Sequence, residues 1–196
     1  MKLRFGFIAV LIAISYSVNA ADTPVYQSKY VGQEKRTIKS LSEDDILQLQ
    51  NGEGWGLAKA AELNGMPGPA HVLQMKVQIA LTKSQEEKIN ALYDDMKSKA
   101  IPLGKKLIKL EKKLNDSFAK RTMTQAQLNQ QLDAIYKVQK KLRYVHLVAH
   151  LATPSILTSN QIEQYNRLRG YDSDDPCKNI PAGHDAKMWK KHNNCN

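Results

Sequence analysis

Cysteine is scarce in this 196-residue chain: there are two, Cys177 and Cys195, both close to the C-terminus. Neither belongs to a Cys-x-x-Cys pair, which argues against thiol–disulfide oxidoreductase chemistry. No cysteine follows the apolar run at the N-terminus, so lipid attachment at a cleavage-site cysteine is not expected. Beyond that run, no apolar segment approaches membrane-spanning length. Sustained alternation of apolar and polar residues is missing as well, which points away from strands and toward an all-α fold. Acidic residues are outnumbered, 19 against 29 Lys and Arg. Aromatic residues do not interleave with the basic ones, so the stacking platform of a nucleic-acid binder is lacking. No Ser/His/Asp, Cys/His or paired-carboxylate set has a diagnostic spacing, and a non-catalytic protein is expected.

The chain opens MKLRFGFIAVLIAISYSVNA. Lys2 and Arg4 precede an almost wholly apolar run from Phe5 to Ile14, and Val18-Asn19-Ala20 offers small residues where a signal peptidase reads. Residues 1–20 are therefore expected to be a secretory signal peptide, an uncleaved anchor being the alternative. Their removal leaves 176 residues, enough for one modest domain with tails, and lowers the formal net charge from +10 to +8. A basic exported protein attracts acidic clients, anionic lipid or polyanions. Export also permits a Cys177–Cys195 disulfide. It would close a loop of under twenty residues and contribute roughly 3 kcal/mol in the chain-entropy picture. Free or metal-binding thiols are the alternative.

Residues 21–40 are polar and without clear period, and are expected to form an extended or disordered lead-in. Ser42 reads as an N-cap, with Glu43, Asp44 and Asp45 in the first turn of a short helix ending near Asn51-Gly52. Gly52, Gly54 and Gly56 follow no strand, so a loop around Trp55 is favoured over a phosphate cradle. A short helix is expected over Leu57–Leu63, and another starting near His71 after Pro67-Gly68-Pro69. From Thr82 to Arg169 the pattern is helical. Leu103, Leu107, Leu110, Leu114 and Phe118 line one face. Pro102 is expected to kink this helix or end it near Ile101. Arg121–Thr124 reads as a turn, and Thr124 with Gln127 caps a helix running to about Leu151. Leu128, Leu132, Ile135, Leu142, His146 and Ala149 share one face of that helix. The architecture expected over residues 41–171 is long antiparallel helices, as a hairpin-like cradle or a small bundle, followed by a loop-rich tail over 172–196.

One short sentence of sequence occurs twice: LTKSQ at 81–85 and LTSNQ at 157–161. Each copy is a capping box. Thr82 and Thr158 accept from the backbone N–H three residues on, and Gln85 and Gln161 reach back to the threonine N–H. Leu157 can staple onto Ile162; Leu81 faces Glu86 in the same register and must bury elsewhere. With this pair of motifs, the basic helical stretch between them and the leader, residues 68–171 resemble the Spy/CpxP-type periplasmic proteins and their relatives, the periplasmic heavy-metal sensor and resistance proteins. That resemblance implies a small helical periplasmic protein, often a curved dimer. It implies an ATP-independent chaperone for unfolded envelope proteins, an envelope-stress regulator, or a metal binder.

Two sets of residues carry those functions. Lys105, Lys106, Lys109, Lys112 and Lys113 form a basic stripe able to draw in acidic clients, or else the solvated face of a core helix. His146 and His150, four apart, stack on one helix face, and His71 and Met75 do the same. Together they would make a nitrogen–thioether set suited to zinc, copper, nickel or cobalt. The bland reading makes His146 a buried, hydrogen-bonded histidine and His150 an interface polar group. The tail adds His184, Met188, His192 and Cys195, a further copper-like possibility against a surface segment stapled by its disulfide. A structural protein that docks on a sensor or on the envelope surface is the third class.

Overall fold

The apolar steps of three and four between Leu103 and Phe118 form one face of a helix, and that helix is long. In a computed structural model, which describes residues 26–171, Cys177, Ile180 and 183–195, α4 runs from Lys83 to Ala119. A turn follows, and α5 returns from Gln125 to Ala152 behind the Thr124–Gln127 capping box. The two helices are antiparallel: near the tip, Gln131 Nε2 donates to Ser117 Oγ at 3.3 Å. At the other end Lys97 faces His146 closely enough to perturb it. Leu107 of α4 and Ile135, Val138 and Leu142 of α5 are buried between them, while Phe118 at the tip is exposed. The expected leader lies outside the described residues. Among these the fold is all-α, without a strand, and no helix is long and apolar enough to cross a membrane.

Three short helices pack on this hairpin. Ser42 caps α1, Glu43–Asn51, through a capping box with Asp45. Gly52 ends α1 in the left-handed conformation, φ 62°, which costs a glycine little. Next come α2, Lys59–Glu62, shorter than the span expected, and α3, which starts at Pro69 and ends at Gln74. After α5, a single 3₁₀ turn over Thr153–Ile156 leads into α6, Ser159–Leu168. A last helix, α7, Ala186–His192, lies in the tail.

Burial is split between two cores. The first joins Ile38, Leu41 and Leu49 to Ala100, Leu107, Ile135, Val138 and Leu142, and so clamps α1 onto the hairpin. The second joins Val72, Ile79, Ile89 and Tyr165, and so ties α3 and α6 to the start of α4. Ile38 departs from the extended lead-in expected there. A 3₁₀ turn at Gln33–Lys35 precedes it, the Lys39 N–H donates to Asn115 Oδ1 at 3.1 Å, and Ile38 is buried. The isoleucine is one apolar residue in a polar stretch, and periodicity cannot register a single anchor.

Pro102 does not end α4. The helix passes through it. A mid-helix proline costs about 3 kcal/mol in isolation. Here Ala100 and Leu107, both fully buried, hold the turns on either side against α1 and α5. Pro102 itself lies on the exposed side, where water can take the carbonyl it leaves unpaired. Close packing at the next turn depends on a glycine. A Cβ added at Gly104 would overlap the Leu49 carbonyl oxygen, so α1 can seat on α4 only over a bare Cα.

Candidate functional site

The two Leu-Thr-x-x-Gln segments, 76 residues apart in sequence, meet in space. Each forms its capping box: Thr82 Oγ1 accepts from the Gln85 N–H at 3.2 Å, and Thr158 Oγ1 from the Gln161 N–H at 3.3 Å. Each glutamine Oε1 accepts from its own threonine N–H, at 3.0 and 2.9 Å. The amide nitrogens then cross over. Gln85 Nε2 donates to Gln161 Oε1 at 2.9 Å, and Gln161 Nε2 donates to Gln85 Oε1 at 3.0 Å. Each nitrogen also donates to a carbonyl just ahead of the opposite motif, Ile156 O at 2.8 Å and Ala80 O at 3.2 Å. The repeat is thus a local two-fold clasp that joins the N-termini of α4 and α6. Leu81 and Leu157 both pack against the second core, so the leucine with no staple partner is buried by tertiary contact.

The basic stripe lies along α4. Lys105, Lys106, Lys109, Lys112 and Lys113 are all exposed. Lys112 pairs with Asp116 at 2.7 Å. Lys109, Lys112 and Lys113 line a shallow hollow of about 430 Å³ with Asp116, Ser117, Lys120 and Thr122. All of these lining residues are polar or charged. A second groove, about 620 Å³, lies between α4 and α5 and has an apolar floor: Leu103, Tyr144 and Val145 form it, rimmed by Lys99, Lys137, Lys140 and Lys141. Lys99 is paired with Asp95 at 2.5 Å. No ion pair engages Lys137, Lys140 or Lys141 among the described residues. Tyr144 is 68% exposed. Sequence reasoning passed over these α5 residues, although Lys137, Lys140, Lys141 and Tyr144 recur at three, four and seven, the spacing of one helix face.

The histidines converge in part. His71, His146 and His150 line one recess of about 470 Å³, together with Tyr93, Met96 and Lys97. Met75 does not; as the C-cap residue of α3 it packs against the second core, with Val72 and Ile79. His146 is 3% exposed, and among the described residues its Nε2 has no hydrogen-bond partner. Burial, with the charges of His150 and Lys97 nearby, holds its pKa down at about 4, so the ring is neutral at pH 7. His150 Nδ1 donates to the Met66 carbonyl at 2.9 Å, and its ring abuts Gly68, where a Cβ would overlap it. Among the described residues no group of three or more His, Cys, Asp or Glu side chains is arranged to hold a metal ion. In the tail, Cys195 is bonded to Cys177, so it offers no thiolate to His184, Met188 and His192. That bond suits an oxidising compartment.

Behind the recess sits a polar cluster that the sequence did not announce. Glu62, 8% exposed, accepts from Tyr165 Oη at 2.6 Å, Arg169 Nε at 3.0 Å and Tyr171 Oη at 3.0 Å, all at Oε1. His71 Nδ1 lies 3.4 Å from the same oxygen, and His150 Nδ1 lies 3.8 Å from Oε2. Burial alone would raise the Glu62 pKa. Hydrogen bonds from His71 and Tyr165, and the charges of His71 and Arg169, more than reverse this and hold it at about 2. The cluster fastens α2 to the end of α6. The signal that marks it is the i, i+4 pair Tyr165 and Arg169, which acquires meaning only once α2 is placed beside it.

Against known proteins, a scan of family models, a search of curated proteins and a search of solved structures each find no match.

Proposed function

We propose that this chain is an exported, periplasmic, ATP-independent holdase of the Spy/CpxP kind, binding unfolded or stress-damaged envelope proteins rather than catalysing a reaction. The observation that carries the reading is the groove between α4 and α5. Its apolar floor is open to solvent, and its rim holds three lysines that make no ion pair among the described residues. Such a surface speeds encounter with acidic chains and then retains their apolar side chains. The paired Leu-Thr-x-x-Gln clasp supports the family assignment, and the Cys177–Cys195 bond supports an oxidising compartment. Light scattering from a chemically unfolded acidic protein tests it. Stoichiometric amounts of the wild type are expected to suppress aggregation, less so at high salt, where the lysines are screened. Unchanged aggregation would refute the reading.

A metal-binding sensor or resistance role has one observation in its favour. His146 keeps a neutral ring nitrogen, buried and unpaired, on the recess shared with His71, His150 and Met96. Imidazole and thioether suit copper, nickel, zinc or cobalt. Calorimetric titration of these ions into wild type and the His146→Ala/His150→Ala variant tests this role. It fails if no ion binds above buffer competition, or if the variant binds as tightly.

A further inference from the structure

Two apolar hollows flank α5, and Lys140 stands on the ridge between them. The first is the groove over Leu103, Tyr144 and Val145. The second, about 680 Å³, is lined by Trp55, Leu57, Tyr136, Gln139, Lys140 and Arg143. Its wall is held in place: Trp55 Nε1 donates to Asp45 Oδ1 at 2.7 Å, which fixes the indole against α1. The ridge is cationic along its whole width, with Lys137 and Lys141 on one slope and Arg143 on the other. Among the described residues, no carboxylate lines either hollow.

This layout sets a length and a pattern. The α5 residues lining the two hollows lie about a third of a turn apart on either side of Lys140, so on a helix about 10–12 Å across the hollows are roughly 10 Å apart. An extended chain advances about 3.3 Å per residue, and alternate side chains point the same way. Residues i, i+2 and i+4 of a strand laid across α5 therefore all face the protein and span about 13 Å. The first and last reach the hollows, and the middle one meets Lys140. We infer that the surface takes extended segments of the pattern apolar–x–acidic–x–apolar, crossing α5 with the carboxylate on the Lys140 ridge. This inference rests on the holdase reading and specifies which unfolded segments it selects.

Fluorescence anisotropy with a labelled short peptide carrying leucine–x–glutamate–x–leucine tests it on the full mature chain. The peptide is expected to bind, and a peptide with the glutamate moved by one residue to bind at least about tenfold more weakly, a difference of about 1.4 kcal/mol. Lys140→Glu is expected to weaken the first peptide by a similar factor. It should restore binding when the peptide glutamate is replaced by lysine. Tyr136→Ala and Tyr144→Ala should each weaken it too. These side chains are exposed, so the variants are expected to fold, and circular dichroism checks that. Equal binding of the shifted peptide, or an unchanged affinity in Lys140→Glu, would overturn the inference. So would binding to phosphatidylglycerol vesicles with no binding of either peptide, which would make the face a membrane contact. The aggregation assay separates the two ideas. Suppression that survives Lys140→Glu keeps the holdase and discards this pattern, whereas register-specific peptide binding without suppression keeps the pattern and discards the holdase.

Discussion

Gln85 and Gln161 each use both ends of one amide, and this explains why the repeated motif ends in glutamine. The oxygen caps its own helix, while the nitrogen reaches across to the other motif and to a carbonyl beyond it. Glutamate would preserve the cap but remove both donated bonds and set oxygen against oxygen. Gln85→Glu is therefore expected to cost about 2 kcal/mol at neutral pH, read from urea unfolding, because two half-buried acceptors lose their donor and the new charge faces a carbonyl and an amide oxygen. Thr82→Ala or Thr158→Ala should cost only about 1 kcal/mol, the usual value of a cap. A smaller loss for Gln85→Glu than for Thr82→Ala would mean the crossed pair contributes nothing. At this scale the capping was legible from spacing alone, for it obeys a local rule. The crossing was not, because sequence does not state that residues 76 apart touch.

His146 gives a second prediction at the residue scale. Its pKa is about 4 in the folded protein against 6.5 for the free side chain. The unfolded chain therefore binds more protons between those values. The stability this histidine preserves is complete above pH 6.5 and is lost as the pH falls toward 4, by up to about 3 kcal/mol. His146→Leu should flatten the urea midpoint across that window. An equally steep fall in the variant would assign the acid sensitivity elsewhere. Glu62 acts lower: its carboxyl, held at about 2, gives up its contribution only as the pH falls from the ordinary 4.5 toward 2.

At the scale of the elements, α1 and α4 are fitted to one another through Gly104. Alanine favours helix over glycine by about 1 kcal/mol. Gly104→Ala should nevertheless destabilise, by at least about 2 kcal/mol, because its methyl meets backbone and not a flexible side chain. Gly54→Ala is the control, since a Cβ there meets nothing within 4 Å. Thermal melts of the two variants check this, and a stabilised Gly104→Ala would contradict the close approach. Helix identity was legible here: the period-3.6 pattern located α4 and α5, and Ser42, Thr82, Thr124 and Thr158 marked four helix starts. Of the two outcomes expected at Pro102, a kink or an end near Ile101, the end does not occur. Local propensity opposes a helix there, and the packing of Ala100 and Leu107 overrides it.

For the molecule as a whole, two cores at separate places hold a long hairpin whose α5 side leaves apolar and cationic groups facing water. Tyr136 and Tyr144 are 63% and 68% exposed, and each lines one of the two apolar hollows beside α5. The candidate site was half legible. The lysines of α4 were named from the sequence, and the α5 groove was not, since a groove is formed by two helices and belongs to neither alone. The most direct test is site-specific photo-crosslinking. A photoreactive side chain is placed at Tyr144, at Tyr136, or at Val77, which is 79% exposed on the α3–α4 connection. Each protein is then mixed with a chemically unfolded protein of net negative charge. Adducts are expected at Tyr144 and Tyr136 and not at Val77; no adducts, or equal yields at all three, would contradict client binding at α5.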